Sequence, residues 1–303
     1  MIKFHLNSLT ASSLNIGQII NDFFQLTKLR LSTSVVFSSL AGYLLASDKL
    51  ETQVLLGLFF GGFAMVGASN AFNQLIEKNK DSLMIRTQNR PLPSGRMSNI
   101  VAATIATVLA VFGILILQYI NFKTALFGAL SIFLYTCVYT PLKSVTSLSV
   151  FVGAFPGAIP FMLGWVAATG SFGIEPGILF MIQFFWQFPH FWAIGWVSYD
   201  DYEKAGFKML PTGKRDNTTA FLIVFYTIWM ILVSTLPYFS FTGKFSIGLP
   251  SLLLILVAGI FMLIQALRLM KYKDNQNAIR LMYTSIFYLS FIQIIFVLDK
   301  LLL

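Results

Sequence analysis

The chain has 303 residues, of which 56% are hydrophobic and only 11% charged, with a mean hydropathy of +0.75. A soluble domain carries about 25% charged residues, so these values exclude a water-soluble globular protein. The net charge of +9 is carried mostly by short segments between apolar runs, which points to membrane orientation and excludes nucleic acid as a partner.

Along the chain, the opening stretch MIKFHLNSLTASSLNIGQIINDFFQLTKLR has no continuous apolar core and no small-residue cleavage site. Residues 1–25 therefore predict an amphipathic cytoplasmic segment rather than a cleaved signal. Apolar runs of the length a bilayer requires then recur at 26–46, 53–75, 98–118, 123–140, 147–168, 176–198, 218–240, 246–267 and 280–299. The expected fold class is an all-α polytopic membrane protein. A single domain over 26–303 would arrange nine transmembrane helices around a central cavity open to the cytoplasmic side.

Sorting the 21 Lys and Arg onto alternate sides leaves four on the minority side, Lys49, Lys123, Lys244 and Lys300, and 17 on the other. The positive-inside rule then places the N-terminus in the cytoplasm, the C-terminus outside and the chain in a bacterial-type inner membrane. The two long charged loops, 75–97 and 199–217, each follow an even-numbered span. This suggests a pseudo-repeat of the second and third spans by the sixth and seventh. The single cysteine, Cys137, excludes an intramolecular disulfide.

Asn73, Glu77 and Asp81 are spaced four apart and stack on one helix face over about 12 Å. The acids by themselves read as a solvated helix end balancing Lys78 and Lys80. Asn73, however, sits where the helix is still apolar, and polar groups at that depth face a cavity or other helices. A row of oxygen ligands at this spacing suits Mg²⁺, whose shell phosphate and water complete. A second cluster, Asp200, Asp201, Glu203 and Lys204, follows the sixth span on the same side. Together with Arg86, Arg90, Arg96, Lys143 and Lys208, the two clusters suit a polyanion held through metal and direct basic contacts. A diphosphate bearing a lipid tail sunk in the membrane fits best.

With these residues in view, NQLIEKNKD at 73–81 followed by RTQNRPLPSG at 86–95 resembles the first signature of the UbiA superfamily of intramembrane prenyltransferases. Within it, YTPLK at 139–143, GAFPGAIPFMLGWVAATG at 153–170, FFWQFPHFWAIGW at 184–196 and DYEKAGFKMLP at 201–211 are similar to the heme O synthases. The resemblance covers residues 25–300. It implies transfer of a farnesyl group from farnesyl diphosphate to a vinyl group of heme b, with water supplying a hydroxyl.

It further implies Mg²⁺ on Asn73, Glu77 and Asp81 and on Asp201 with Asp200, and diphosphate contacts from Arg86, Arg90, Lys143 and Lys204. Catalysis would fall to Asn73, Glu77, Asp81, Lys143 and Asp201. The acceptor pocket would include His190, Trp186, Gln187, Tyr139 and Tyr202. The sequence departs from the pattern at Glu77, where an Asp is usual, and at Lys204 and Ala205, where a second aspartate of a D-x-x-x-D motif would fall. Partners implied are farnesyl diphosphate, heme b and the bilayer; docking to a heme A synthase or terminal oxidase subunit stays open.

His190 follows Pro189 inside the sixth span, where the proline is expected to kink the helix. An isolated buried histidine is usually a packed core residue, yet an intramembrane ionisable group next to a heme substrate is a candidate ligand or propionate partner. Phe184, Phe185, Trp186, Phe188, Phe191 and Trp192 are candidates to shield a cation by their faces, although each alone fits ordinary packing. Gly153, Gly157 and Gly164 read as close helix packing. Asn217 or Thr218 is expected to cap the seventh span, with Lys214 and Arg215 answering lipid phosphates. Two rival activities are prenylation of a quinone precursor or other aromatic acceptor, and transport of a phosphorylated anion. The second fits poorly with so few polar groups on the opposite side.

Overall fold

The computed structural model describes residues 16–239 and 241–302. His5 and most of the expected amphipathic segment lie outside the described residues. Helix α1 (Ile16–Thr27) is followed, after one residue, by α2 (Leu29–Ala46), then α3 (Thr52–Asp81) and α4 (Asn99–Ile120). Helix α5 (Phe122–Phe133) runs into a π-helical segment, Leu134–Tyr139, and a last turn, α6 (Thr140–Leu142). There follow α7 (Ser149–Thr169), α8 (Ile174–Val197), the short α9 (Tyr199–Lys204), α10 (Asn217–Thr235), α11 (Leu249–Tyr272) and α12 (Asn275–Leu302).

Among the described residues, eight segments are long and apolar enough to cross a membrane. Helix α8 has the length at 24 residues, but Gln183, Gln187, Pro189 and His190 lower its hydropathy. It packs between α7, α10 and α12. The expected spans match these helices to within a few residues, except that α3 continues through the charged stretch to Asp81. The acids are therefore on the helix, not in the loop after it.

Between lipid-embedded helices the hydrophobic effect gives no net drive, so close packing and interhelical hydrogen bonds hold the bundle. Helices α2 and α7 meet backbone to backbone: a Cβ at Gly42 would stand 2.0 Å from the Phe161 oxygen, and one at Gly164 1.9 Å from the Ser39 oxygen. The largest core joins α7 and α8 to α10, α11 and α12, with Trp196 and Tyr288 fully buried. A second, around Tyr43, Leu58, Met65 and Ile159, lies between α2, α3, α5 and α7.

Polar side chains complete the joints. Asn70 Nδ2 donates to the Thr27 oxygen, and Gln74 Nε2 donates to those of Gln25 and Leu26, so α3 satisfies the last carbonyls of α1. Arg96 pairs with the buried Asp22 of α1 at 3.0 Å. Pro160 cannot donate to the Pro156 carbonyl one turn back; Ser131 Oγ does so instead, at 3.3 Å.

Two expectations about the loop before α10 are corrected. The cap is Asp216, whose Oδ1 accepts from the Thr219 amide at 2.8 Å, since the turn ends one residue earlier than the polar run suggests. Arg215 is not turned to lipid: its Nε donates to the Trp196 carbonyl at 2.8 Å and its guanidinium pairs with Asp200.

Candidate active site

The polar face of α3 meets the π-helical segment and the C-terminal turns of α8 around one cavity of about 390 Å³. Asn73, Glu77 and Asp81 line it, brought together by the 3.6-residue period as their spacing predicts. All three are buried. Thr140 orients the first: Asn73 Nδ2 donates to Thr140 Oγ1 at 3.1 Å, and that hydroxyl donates to the Tyr135 carbonyl at 2.8 Å. With its nitrogen committed, the amide keeps its oxygen for another donor or a cation.

Each acid meets one base. Lys143 Nζ lies 2.7 Å from Glu77 Oε1, and Arg90 donates from Nη1 to Asp81 Oδ2 at 2.8 Å. The π-helical segment adds a residue to the turn before Lys143, and Tyr139, from its end, places its ring 4.7 Å beneath the ammonium. Burial holds Lys143 below the ordinary lysine pKa, while the charge of Glu77 acts to raise it.

Arg86 and Lys28 also line the cavity, so among the described residues four basic side chains face two carboxylates and basic groups outnumber acids on the wall. That excess suits an anion. Tyr202 joins them from α9; burial raises its phenol pKa above the ordinary value.

Lys28 was not singled out by the sequence, where it reads as one more orientation charge in TKLR. It is the single residue between α1 and α2, in the left-handed region at φ 49°. Such a backbone costs a non-glycine residue roughly 1 kcal/mol or more, and strain of this kind collects at functional positions. Burial, together with repulsion from Arg90 and Lys143, lowers its pKa from 10.5 to about 7.

The same wall carries the acceptor-pocket candidates Trp186, Gln187, His190, Tyr139 and Tyr202. Gly153 and Gly157 do more than pack helices: a Cβ at Gly153 would lie 2.6 Å from the Tyr139 ring, and one at Gly157 2.6 Å from Gln187 Nε2. They make the room these side chains occupy. Of the six aromatics put forward on α8, only Trp186 and Phe191 reach the cavity; Phe184, Phe188 and Trp192 are core. Ser34, Ser38, Ser69, Ser290 and Gln293 add a polar wall the sequence reading passed over. The signal available was the serine pair four apart on α2 and a glutamine inside α12.

The second acidic cluster stands elsewhere. Asp200, Asp201 and Lys204 are not part of the cavity wall. Asp200 is 71% exposed and pairs with Arg215 at 3.3 Å. Asp201, in the first turn of α9, accepts from the backbone N–H groups of Ile85 and Arg86, each at 3.4 Å, and so ties α9 to the loop after α3. Among the described residues no three His, Cys, Asp or Glu converge as an all-protein metal cage. Two carboxylates and one amide oxygen fit the partial shell that Mg²⁺ takes when a substrate phosphate supplies the rest.

Residues 35–292 match the UbiA prenyltransferase family. The chain is 62% identical over 288 residues to a protoheme IX farnesyltransferase of Flavobacterium psychrophilum, covering 94% of this chain and 96% of that protein. Its fold is similar to a digeranylgeranylglyceryl phosphate synthase, with a TM-score of 0.77 at 18% identity over 94% of this chain and 100% of the other. It is also similar to a UbiA homologue from Archaeoglobus fulgidus bound to DMAPP and Mg²⁺, with a TM-score of 0.65 at 13% identity over 91% and 99% of the two chains. An all-helical membrane bundle whose acidic and basic side chains converge on one buried cavity, and which matches that family over most of its length, is a member of the UbiA prenyltransferase family.

Proposed function

We propose that this cavity transfers a farnesyl group from farnesyl diphosphate to a vinyl group of heme b, with addition of water, giving heme O, diphosphate and a proton. The observation that carries the reading is the pairing of an anion site with an intramembrane histidine in one cavity. Asn73, Glu77, Asp81, Arg86, Arg90 and Lys143 share its wall with His190. The 62% identity to a protoheme IX farnesyltransferase supports heme b as acceptor, and a fold neighbour bound to DMAPP and Mg²⁺ supports a metal-assisted diphosphate site.

Glu77, Asp81 and the Asn73 oxygen would hold Mg²⁺, which supplies Lewis-acid neutralisation of the departing diphosphate. Arg86, Arg90, Lys143 and Lys28 hold the diphosphate and stabilise the charge that grows on it as the allylic C–O bond breaks. Glu77 and Asp81 keep Lys143 and Arg90 aimed at the mouth before substrate arrives. The closed bundle delays water until the vinyl carbon has bonded to C1 of the farnesyl group. Water then adds to the cation left next to the porphyrin ring and releases a proton. The cavity mouth faces the cytoplasm, with the N-terminus inside and the C-terminus outside a bacterial inner membrane, as the Lys and Arg distribution favours.

The test is incubation of the purified protein with heme b, farnesyl diphosphate and Mg²⁺, with the product followed by mass. A heme heavier by one farnesyl group plus one water is expected. Prenylation of a quinone precursor and not of heme would overturn the acceptor.

Lys28 gives a pH signature. Its pKa of about 7 before substrate binds must rise beside a diphosphate, so above pH 7 binding takes up a proton. Wild-type affinity for farnesyl diphosphate, measured relative to that of Lys28→Met, should fall between pH 7 and pH 9, by up to about tenfold per unit. A ratio constant with pH would remove Lys28 from the diphosphate.

A further inference from the structure

The chain carries one histidine inside its spans, and the structure determines which of its ring nitrogens meets the cavity. Trp186 and His190 lie one turn apart on α8, their rings stacked at 4.5 Å and 16°. Both reach across to Ser285 of α12. Trp186 Nε1 donates to the Ser285 carbonyl at 2.6 Å, and His190 Nδ1 lies 2.8 Å from Ser285 Oγ.

The serine hydroxyl donates in turn to the Met282 carbonyl at 2.6 Å. A carbonyl only accepts, so the hydroxyl proton is committed there, and Oγ is left to accept from the imidazole. The Met282 carbonyl is itself a further acceptor beside that ring. A neutral imidazole has one N–H, and here it is on Nδ1. Nε2 is left with its lone pair. Among the described residues it has no donor partner and is not one of the enclosed unpartnered polar atoms, and His190 forms part of the cavity wall.

We infer that Ser285 is a positioning residue that fixes His190 in the Nδ1–H form, so that Nε2 binds the iron of the heme acceptor as an axial ligand. The inference rests on the reading of heme b as acceptor. Metal-bound histidines characteristically donate their second ring N–H to a fixed acceptor, which sets ring orientation and strengthens the ligand. A histidine meant to donate to a heme propionate would need its proton on Nε2, and the Ser285–Met282 relay draws it to the other nitrogen. Ligation also orders the reaction: once the iron is held on α8, the porphyrin edge is fixed relative to the diphosphate site on α3.

The test is titration of the full-length purified protein with ferric heme b, followed by optical and electron paramagnetic resonance spectra, with farnesyl diphosphate binding measured alongside. Wild-type protein should give a histidine-ligated spectrum. His190→Ala should lose that spectrum, bind heme at least about tenfold more weakly and recover ligation on addition of imidazole. Retained farnesyl diphosphate binding would verify its fold. Ser285→Ala should keep a ligated spectrum with heme affinity lowered about 10–100-fold, and Ser285→Thr, which keeps the hydroxyl, should restore it. Heme bound by the wild type with a spectrum unchanged in His190→Ala would overturn the inference while leaving the acceptor in place. A wild type that binds no heme overturns both.

Discussion

Asp81→Asn lowers turnover by about 10²–10³-fold in a protein that still folds and still enters the membrane. The carboxylate is 1% exposed and 2.8 Å from Arg90, and its helix ends at that residue. An amide of the same shape fills the space but supplies no charge to a cation and leaves Arg90 without its counter-ion. The residual activity should need more Mg²⁺. Turnover of heme b measured across a Mg²⁺ series, with thermal unfolding as the control, checks both parts.

Asp201→Asn is the informative comparison. Asp201 lies outside the cavity wall and accepts from two backbone N–H groups; an Asn oxygen still accepts one. Its loss should be much smaller, with the Mg²⁺ dependence unchanged. If Asp201→Asn instead matched Asp81→Asn in both respects, the second acidic loop would belong to the metal site after all.

Gly164→Ala is the substitution with the largest expected effect on stability. Its Cβ would lie 1.9 Å from the Ser39 oxygen and 2.5 Å from the Tyr43 nitrogen. Both are backbone atoms, so no side chain can swing aside; α2 must separate from α7 along the whole contact. The cost is about 3 kcal/mol, the upper end of the overpacking range. Activity should fall with it, since α2 places Ser34 and Ser38 in the cavity. Gly177→Ala on α8, where nothing lies within 4 Å, should leave the melting temperature unchanged or slightly raised. Equal melting temperatures for the two variants would sink the close-approach account.

The features legible in the sequence are those written over short stretches. Hydropathy runs set the spans to within a few residues because each helix satisfies its own backbone inside the bilayer. The Asn73–Glu77–Asp81 face follows from helical period alone, and RTQNRPLPSG places Arg86 and Arg90 within one loop's reach of it. Sequence records which side of the membrane Asp200 and Lys204 are on, not which way their side chains turn, and neither lines the cavity. In the structure Arg215, from the far end of the same loop, takes Asp200.

By itself, then, the sequence determined a helical membrane protein with a face of one amide and two carboxylates on one helix and a histidine inside another. Only the tertiary structure decided that Lys28 lines the same cavity as that face, that Gly153 and Gly157 leave room for Tyr139 and Gln187, and that His190 meets a serine 95 positions away. The reason is rotational. Hydropathy fixes where a helix lies along the membrane normal, but its turn about its own axis, and so which side chains meet, depends on interlocking with neighbours distant in the chain.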